Sequence, residues 1–275
     1  MPSRVEMIVS DLDGTLFDRS SNLSERTIRA VRSAHGAGIR VVAATGRSST
    51  SAAPRLRPAH VISTAICSNG SLVHDVHEDR NLHRFHIDAE HVERLFQRLA
   101  AHDPRLSFCW ETDHGNGWDE DFADVASGHE DLGRLATLTD RPTRSHRVTK
   151  IMVRHPDVVR GELRDRLLPH LGDPLTVSCS GVDFVEVTGV GVDKSTGLQH
   201  LCDEWSIDPA DVVAFGDNQN DLAMLSWAGR SVAVANASEA VLGVADDVIG
   251  HHDDDAVAVE IEAIVEQQRS AAASR

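Results

Sequence analysis

The sequence predicts an α/β fold: a core with a parallel sheet and helices on both faces, and a smaller α+β domain inserted in it. Three observations predict it. From Val5 to about residue 80, short apolar runs alternate with helical patterns, and a β-α-β-α-β order builds a parallel sheet. The same alternation returns from Asp193 onward. Between these stretches, amphipathic helices alternate with half-polar strands, the pattern of an antiparallel sheet with helices on one side. The expected organisation is a core of residues 1–80 and 185–275, with an inserted domain at 81–184. Both halves of the core are needed to complete one sheet.

Each element has its own signal. "VEMIVS" is an apolar run of strand length. "SERTIRAVRSAHGAG" places Ser24 as an N-cap, Ile28, Val31 and Ala34 on one face, and Gly36 or Gly38 at the end. "IRVVAAT" reads as a second strand, and "RSSTSAAPRL" as a helix that Pro54 interrupts or ends. "HVISTAICSNG" is a third strand running into a turn. In the insertion, "DAEHVERLFQRLAAH" and "DVVRGELRDRLLPHL" are helices, while "RLSFCWET", "HRVTKIMVRH" and "GVDFVEVTG" alternate like strands. A polar loop, "DHGNGWDEDFADVASGHED", carries His114 and Trp118, which stand where a loop could close over a site. After Asp193, "KSTGLQHLCDEW" is a helix, "DVVAFGD" a strand, "NDLAMLSWAG" a helix, "SVAVANA" a strand and "DAVAVEIEAIVEQ" the last helix. The tail "QRSAAASR" is expected to be disordered.

Composition limits the function. There are 43 acidic and 27 basic residues, for a formal charge of −16. That balance disfavours nucleic acid or an anionic membrane as a partner, and an anionic substrate then needs a locally positive site. Cys67, Cys109, Cys179 and Cys202 form no CxxC pair, which excludes a zinc ribbon or dithiol redox motif and fits a reducing cytoplasm. No apolar run approaches the roughly 20 residues of a membrane span. A cytoplasmic protein with no obligate protein partner is expected. The only lysines are Lys150 and Lys194; every other strong cation is an arginine.

Ligands of open α/β sheets sit beyond the carboxyl ends of the strands. Three polar clusters fall there: Asp11 and Asp13 after the first strand, Thr45-Gly46-Arg47 after the second, and "GDNQND" (216–221) after "VVAF". Carboxylates brought together repel unless a cation compensates. Mg²⁺ suits such a place, because it takes oxygen ligands, few carboxylates and a substrate phosphate. Asp11 and Asp217 can supply two of those carboxylates. Single aspartates at such positions are often turn or cap residues, but the convergence of three clusters points to a site.

"DLDGTLF", "ATGR", "GVDKSTGL" and "FGDNQND" resemble the four sequential motifs of the haloacid dehalogenase (HAD) superfamily of phosphohydrolases. The chain is similar to the Cof-like sugar-phosphatase branch, with a large type 2 cap between the second and third motifs; "AICSNGSLV" and "SVAVANASEAV" also resemble that branch. The resemblance implies a Rossmann-like core and a Mg²⁺-dependent phosphatase of small phosphomonoesters. It implies Asp11 as nucleophile and metal ligand, and Asp13 as general acid and base that also gives its backbone carbonyl to the metal. Thr45, Gly46 and Asn220 would contact the phosphate. Lys194 would neutralise it and hold Asp11, where a compact ammonium serves better than a planar fork. Asp217 would be the second metal carboxylate and Asp221 would hold metal waters or Lys194. Two departures, Asp193 before the lysine and Ala235 in "VANA", bear on substrate range. A phosphotransferase or phosphomutase, or a non-catalytic phospho-ligand binder, would use the same site.

Weaker signals remain. "HHDDD", His251 to Asp255, has the residue types of a metal site, but its ligands are adjacent, and a loop with a helix cap is expected. Arg47 either touches substrate or ties the loop to a carboxylate, with the second expected. Lys150 opens a strand of the insertion and is expected to pack or pair at the surface. Cys67 is expected as a small buried filler.

Overall fold

Val5 to Val9 end in a buried strand, β1 (Met7–Ser10), that is the middle of a large sheet. The computed structural model describes residues 4–113, 115–122, 137–138, 141–142, 145–172, 175–179 and 183–273. β1 pairs in parallel with β2 (Arg40–Ala44) on one side and β12 (Val212–Gly216) on the other, with Ile8 opposite both Val41 and Val213. The N-terminal and C-terminal parts of the chain thus meet across the central strand. The sheet continues through β13 (Arg230–Ala233) to β14 (Asp247–Val248), and through β3 (Thr64–Cys67) to β4 (Leu72–Asp75) and β5 (Arg80–Arg84), eight strands in all. β4 runs antiparallel to β3.

The central strands are apolar at nearly every position because both faces are covered. On one face Ile8, Val41 and Phe215 pack with Ala30 and Val31 of α1 (Glu25–Gly36) and Ile261 and Val265 of α8 (Ala256–Ala273). Ser24 caps α1 as expected, accepting from the Thr27 N–H at 3.0 Å. On the other face Met7, Val9 and Ala214 pack with Leu198 and Leu201 of α5 (Lys194–Trp205) and with Met224 and Leu225 of α6 (Leu222–Trp227). Fully burying each of the larger of these side chains is worth about 1.5–3 kcal/mol.

Three local expectations change. Pro54 lies inside α2 (Ser49–Leu56) and does not end it. β4 and β5 extend the sheet where no strand was expected; β5 is exposed over most of its length and carries no apolar alternation. The expected disordered tail is helical as far as Ala273, in keeping with its alanine, glutamine and arginine content. Gln268 ties it down by accepting from the Val5 N–H at 3.0 Å.

The chain forms two compact units, Met1–His83 with Lys194–Arg275, and Arg84–Asp193. Both junctions come later than the expected 80/81 and 184/185. β11 (Val185–Thr188) pairs with β9 (Val148–Arg154) and β10 (Thr176–Ser178), so it belongs to the sheet of the second unit. That sheet has the order β10-β11-β9-β6-β7-β8, with β6 at Ser107–Thr112, β7 at Gly115–Trp118 and β8 at Thr137–Leu138. α3 (Ala89–His102) and α4 (Arg160–Leu171) bury Leu95, Leu99, Leu163 and Leu167 against Phe108, Trp110, Ile151 and Val187 of one face. Trp118 lies in β7 opposite Cys109 and packs with Phe122, Met152 and Phe184 on the other. His114 lies outside the described residues. No helix among the described residues is long and apolar enough to cross a membrane.

Candidate active site

The site is built where β1 and β12 end side by side. The Asp11 N–H still donates to the Phe215 carbonyl at 3.0 Å, so Asp11 leaves the sheet while held to its neighbour strand. The chain then turns through Leu12–Leu16, and Gly14 has φ +81°. A Cβ on Gly14 would stand 2.6 Å from Asp217 Oδ2, so the position demands glycine for its dihedral and for its space. Thr15 Oγ1 donates to Asp217 Oδ1 at 3.2 Å, and Asn236 Nδ2 donates to the Gly14 carbonyl at 2.8 Å.

Behind β12, Asp221 faces back toward the strand end. Its Oδ2 accepts from the N–H groups of Asp217 (3.0 Å) and Asn218 (2.9 Å), and its Oδ1 accepts from Lys194 Nζ at 2.5 Å. Lys194 is the first residue of α5, is fully buried, and also donates to Asp11 Oδ1 at 2.5 Å. One lysine therefore joins the ends of two strands through two carboxylates.

One oxygen from each of Asp11, Asp217 and Asp221 lies within 4.8 Å of the others. Burial pushes Asp11 well above the usual carboxylate range; Lys194 opposes this, while Asp221, Asp217 and Asp13 add to it. Burial and the Asp221 charge push Asp217 up to about 6. Burial alone would lower Lys194, but Asp11 and Asp221 outweigh it and hold the ammonium charged. Three carboxylates against one ammonium leave an excess of negative charge in a buried place, which costs stability without a cation.

The donor atoms show which carboxylates fit a metal. Both Asp221 oxygens are used by protein donors. Asp11 Oδ2 is buried without a hydrogen-bond partner. Asp217 spends Oδ1 on Thr15 and keeps Oδ2 beside Gly14. The pair that remains, Asp11 and Asp217, presents hard oxygen donors of the kind Mg²⁺ takes. Asp221 instead holds Lys194 and the turn.

Asp13 stands apart from this group. Its carboxylate is forked by Arg47, with Nε to Oδ2 and Nη2 to Oδ1 both at 2.6 Å. Arg47 is in turn fixed by Ser51 Oγ at 3.1 Å and Ser21 Oγ at 3.2 Å. Arg47 thus ties its loop to a carboxylate, the structural role expected of it. Thr45 is buried, its N–H donating to Ile66 O at 2.8 Å and its Oγ1 accepting from the Arg47 N–H at 3.1 Å, with Gly46 between them in the chain. Asn220 Nδ2 donates to Asn69 Oδ1 at 3.1 Å. Thr15, Asn69 and Asn236 were not singled out in the sequence. All three lie inside the quoted strings "DLDGTLF", "SNG" and "VANA", but their partners are distant in the chain, and one sequence does not reveal such pairs.

Two other clusters can be placed. His251, His252 and Asp253 bring ligand-type atoms within 4.8 Å of each other, but protein partners already use them. His252 Nδ1 donates to Phe17 O at 2.9 Å, His251 Nδ1 accepts from the Asp253 N–H at 3.2 Å, and Asp253 takes Arg19 Nη2 at 2.8 Å. The run serves as a turn leading into α8 and a brace for Phe17–Arg19. Lys150 is not at the surface as expected. It is 3% exposed, between Glu111 (3.2 Å) and Glu186 (3.1 Å) in the second unit. Cys67 is buried in the core, as expected.

A buried lysine thus joins carboxylates from two strand ends of a parallel sheet, where ligands of open α/β folds bind. The chain belongs to the haloacid dehalogenase-like hydrolases, whose family model matches residues 8–261. It is an enzyme of that phosphatase type, a phosphoric monoester hydrolase. It is 30% identical over 260 residues to an HMP-PP phosphatase of Enterobacter sp. (strain 638), covering 90% of this chain and 91% of that one. It is 28% identical to the pyridoxal phosphate phosphatase YbhA of Escherichia coli (strain K12), covering 94% and 97%. A haloacid dehalogenase-like hydrolase structure from Bacteroides thetaiotaomicron superposes with a TM-score of 0.77 at 25% identity, covering 95% and 100%.

Proposed function

We propose that the chain is a Mg²⁺-dependent phosphatase of small phosphorylated metabolites that works through an aspartyl-phosphate at Asp11. The observation that carries this reading is the state of Asp11: one oxygen is on Lys194 and the other is buried and unpartnered, in a carboxylate that clusters with Asp217. Asp11, Asp217 and the main-chain carbonyl of Asp13 would hold the ion, which when bound supplies positive charge to the phosphoryl oxygens.

The chain's own groups divide the remaining work. The Asp11 carboxylate attacks phosphorus, forming the acyl-phosphate bond as the bond to the leaving oxygen breaks. Asp13, released from Arg47 and protonated, gives its proton to the leaving oxygen, and the carboxylate so formed takes a proton from the water that attacks the phosphorus, which restores the acid for the next turnover. Orthophosphate leaves and the Asp11 carboxylate is restored. Lys194 holds Asp11 in place and offsets phosphoryl charge, while the Thr45 hydroxyl, the Gly46 N–H and the Asn220 amide position the phosphoryl oxygens. The relatives named for HMP-PP and pyridoxal phosphate support a small phosphorylated metabolite as substrate. The cysteines are free thiols, which supports a cytoplasmic setting.

The test is hydrolysis of p-nitrophenyl phosphate with and without Mg²⁺, followed by a panel of phosphorylated metabolites. Release of orthophosphate that requires the ion, and that needs no acceptor sugar, is the expected result. Turnover undiminished by a chelator, or absent with every phosphomonoester, would contradict the proposal.

A further inference from the structure

Beyond the four motifs, the turn after β3 carries an unusual backbone. Ser68, Asn69 and Gly70 have φ of 51°, 53° and 96°, all in the left-handed region. A glycine adopts this region freely, whereas other residues are strained there, and the strain persists only where the surroundings enforce it. The turn is also buried: Ser68 is 0% and Asn69 2% exposed.

What enforces the turn is its bonding to the site. The Ser68 N–H donates to Arg47 O at 2.8 Å and the Asn69 N–H to Thr45 O at 3.0 Å, so the turn is bonded to the Thr45–Arg47 loop at both of its ends. The Asn69 side chain reaches the other way and accepts from Asn220 Nδ2 at 3.1 Å. Asn69 therefore joins the loop after β2 to the loop after β12, the two places from which phosphate contacts are proposed. Glycine would satisfy the backbone at position 69 at no steric cost. The presence of asparagine, the side chain most tolerant of this region, points to a use for its amide.

We propose that Asn69 is a positioning residue of the reaction, orienting the Asn220 amide so that its second N–H faces the transferring phosphoryl group. The role rests on the phosphatase reading above. Asn69 touches no reacting atom; it acts through Asn220, and its backbone N–H holds Thr45 independently of the side chain.

Asn69→Gly removes the amide and keeps a backbone that glycine adopts readily. It is expected to leave the melting temperature within about 2 °C of the parent, because relief of the left-handed strain offsets the lost bond. It is expected to lower kcat/KM for p-nitrophenyl phosphate about tenfold, the scale of one misdirected hydrogen bond to a charged group, and to weaken inhibition by orthophosphate similarly. In an Asn220→Ala background the same substitution is expected to change kcat/KM less than about twofold, since the group it acts through is gone. Activity of Asn69→Gly within about twofold of the parent would overturn the proposal, as would an undiminished loss in the Asn220→Ala background. A large fall in melting temperature with the folded fraction fully active would assign Asn69 to the fold alone. Failure of the phosphatase reading looks different: the parent itself would hydrolyse nothing. Orthophosphate binding measured by calorimetry would then still decide, with weaker binding by Asn69→Gly supporting the role and equal or no binding in both proteins overturning it.

Discussion

The chain's two lysines are both buried, and each lies between two carboxylates, yet they sit in different settings. Lys194 joins Asp11 and Asp221 at the ends of two parallel strands, on loops that leave the sheet. Lys150 joins Glu111 and Glu186 across neighbouring antiparallel strands, with Lys150 and Glu111 directly opposite, just before the pairing shifts register at Glu111/Thr112. Around Lys194 a third carboxylate, Asp217, leaves the group short of two positive charges, whereas the Lys150 triad is short of one. Where cross-strand ladders fix every backbone, an ion triad holds strands in register. Loops that converge from separate strands can instead leave room for a ligand that completes the charge. A lysine between carboxylates is not in itself a site; its place in the topology and the charge left over decide.

The largest effect that separates the two regions comes from Asp11→Asn. Steady-state phosphatase assays are expected to show turnover reduced by a factor on the order of 10⁴ or more, with the fold retained by circular dichroism. Robust turnover would remove Asp11 as nucleophile. Next in size, Lys194→Met is expected to lower kcat by roughly 10²–10³ through loss of charge at the phosphoryl group. Lys150→Met acts on stability alone: denaturant unfolding is expected to show a loss of about 3–5 kcal/mol, because two buried glutamates lose their partner. The folded fraction of Lys150→Met should keep the parent's kcat, and a catalytic loss there equal to that of Lys194→Met would erase the distinction.

Asp217→Asn is a smaller and opposite perturbation. Removing one repelling carboxylate is expected to raise the melting temperature of metal-free protein by about 2–5 °C near neutral pH, and to abolish the further rise on adding Mg²⁺. The smallest effect is in pH. Asp217 is raised in the folded state to about 6 from an ordinary 3.8, so the native protein binds the proton more tightly than the unfolded chain. In chelator, this group's contribution should therefore favour folding below pH 3.8 and be lost as pH rises through about 6. Differential scanning across that window, on parent and Asp217→Asn, isolates the slope; Mg²⁺ should flatten it.

The central site was legible because its chemistry is written in contiguous strings at strand ends. Asp11, Lys194, Asp217 and Asp221 were all named, and the structure gathers them. What the strings did not carry is which oxygen of each carboxylate is already used. Asp221 bears on the site through Lys194 and two N–H groups, a fact of geometry alone. Asp13 was expected to give its backbone carbonyl to the metal and its carboxylate to the leaving group, and in the structure that carboxylate pairs with Arg47, 34 residues away in the chain. The sheet's β4–β5 extension escaped notice because β5 is a short polar edge strand with no alternation. Lys150 was misplaced because single-sequence patterning cannot show two glutamates arriving from other strands to bury it.

In the proposed reaction Asp11 itself carries the phosphoryl group. The direct measurement is acid quench of the enzyme during turnover of an aryl phosphate with Mg²⁺, followed by peptide mapping by mass spectrometry. One phosphoryl group on the peptide containing Asp11, absent in Asp11→Asn, is the predicted result. Phosphate on another residue, or continued turnover by Asp11→Asn, would contradict it.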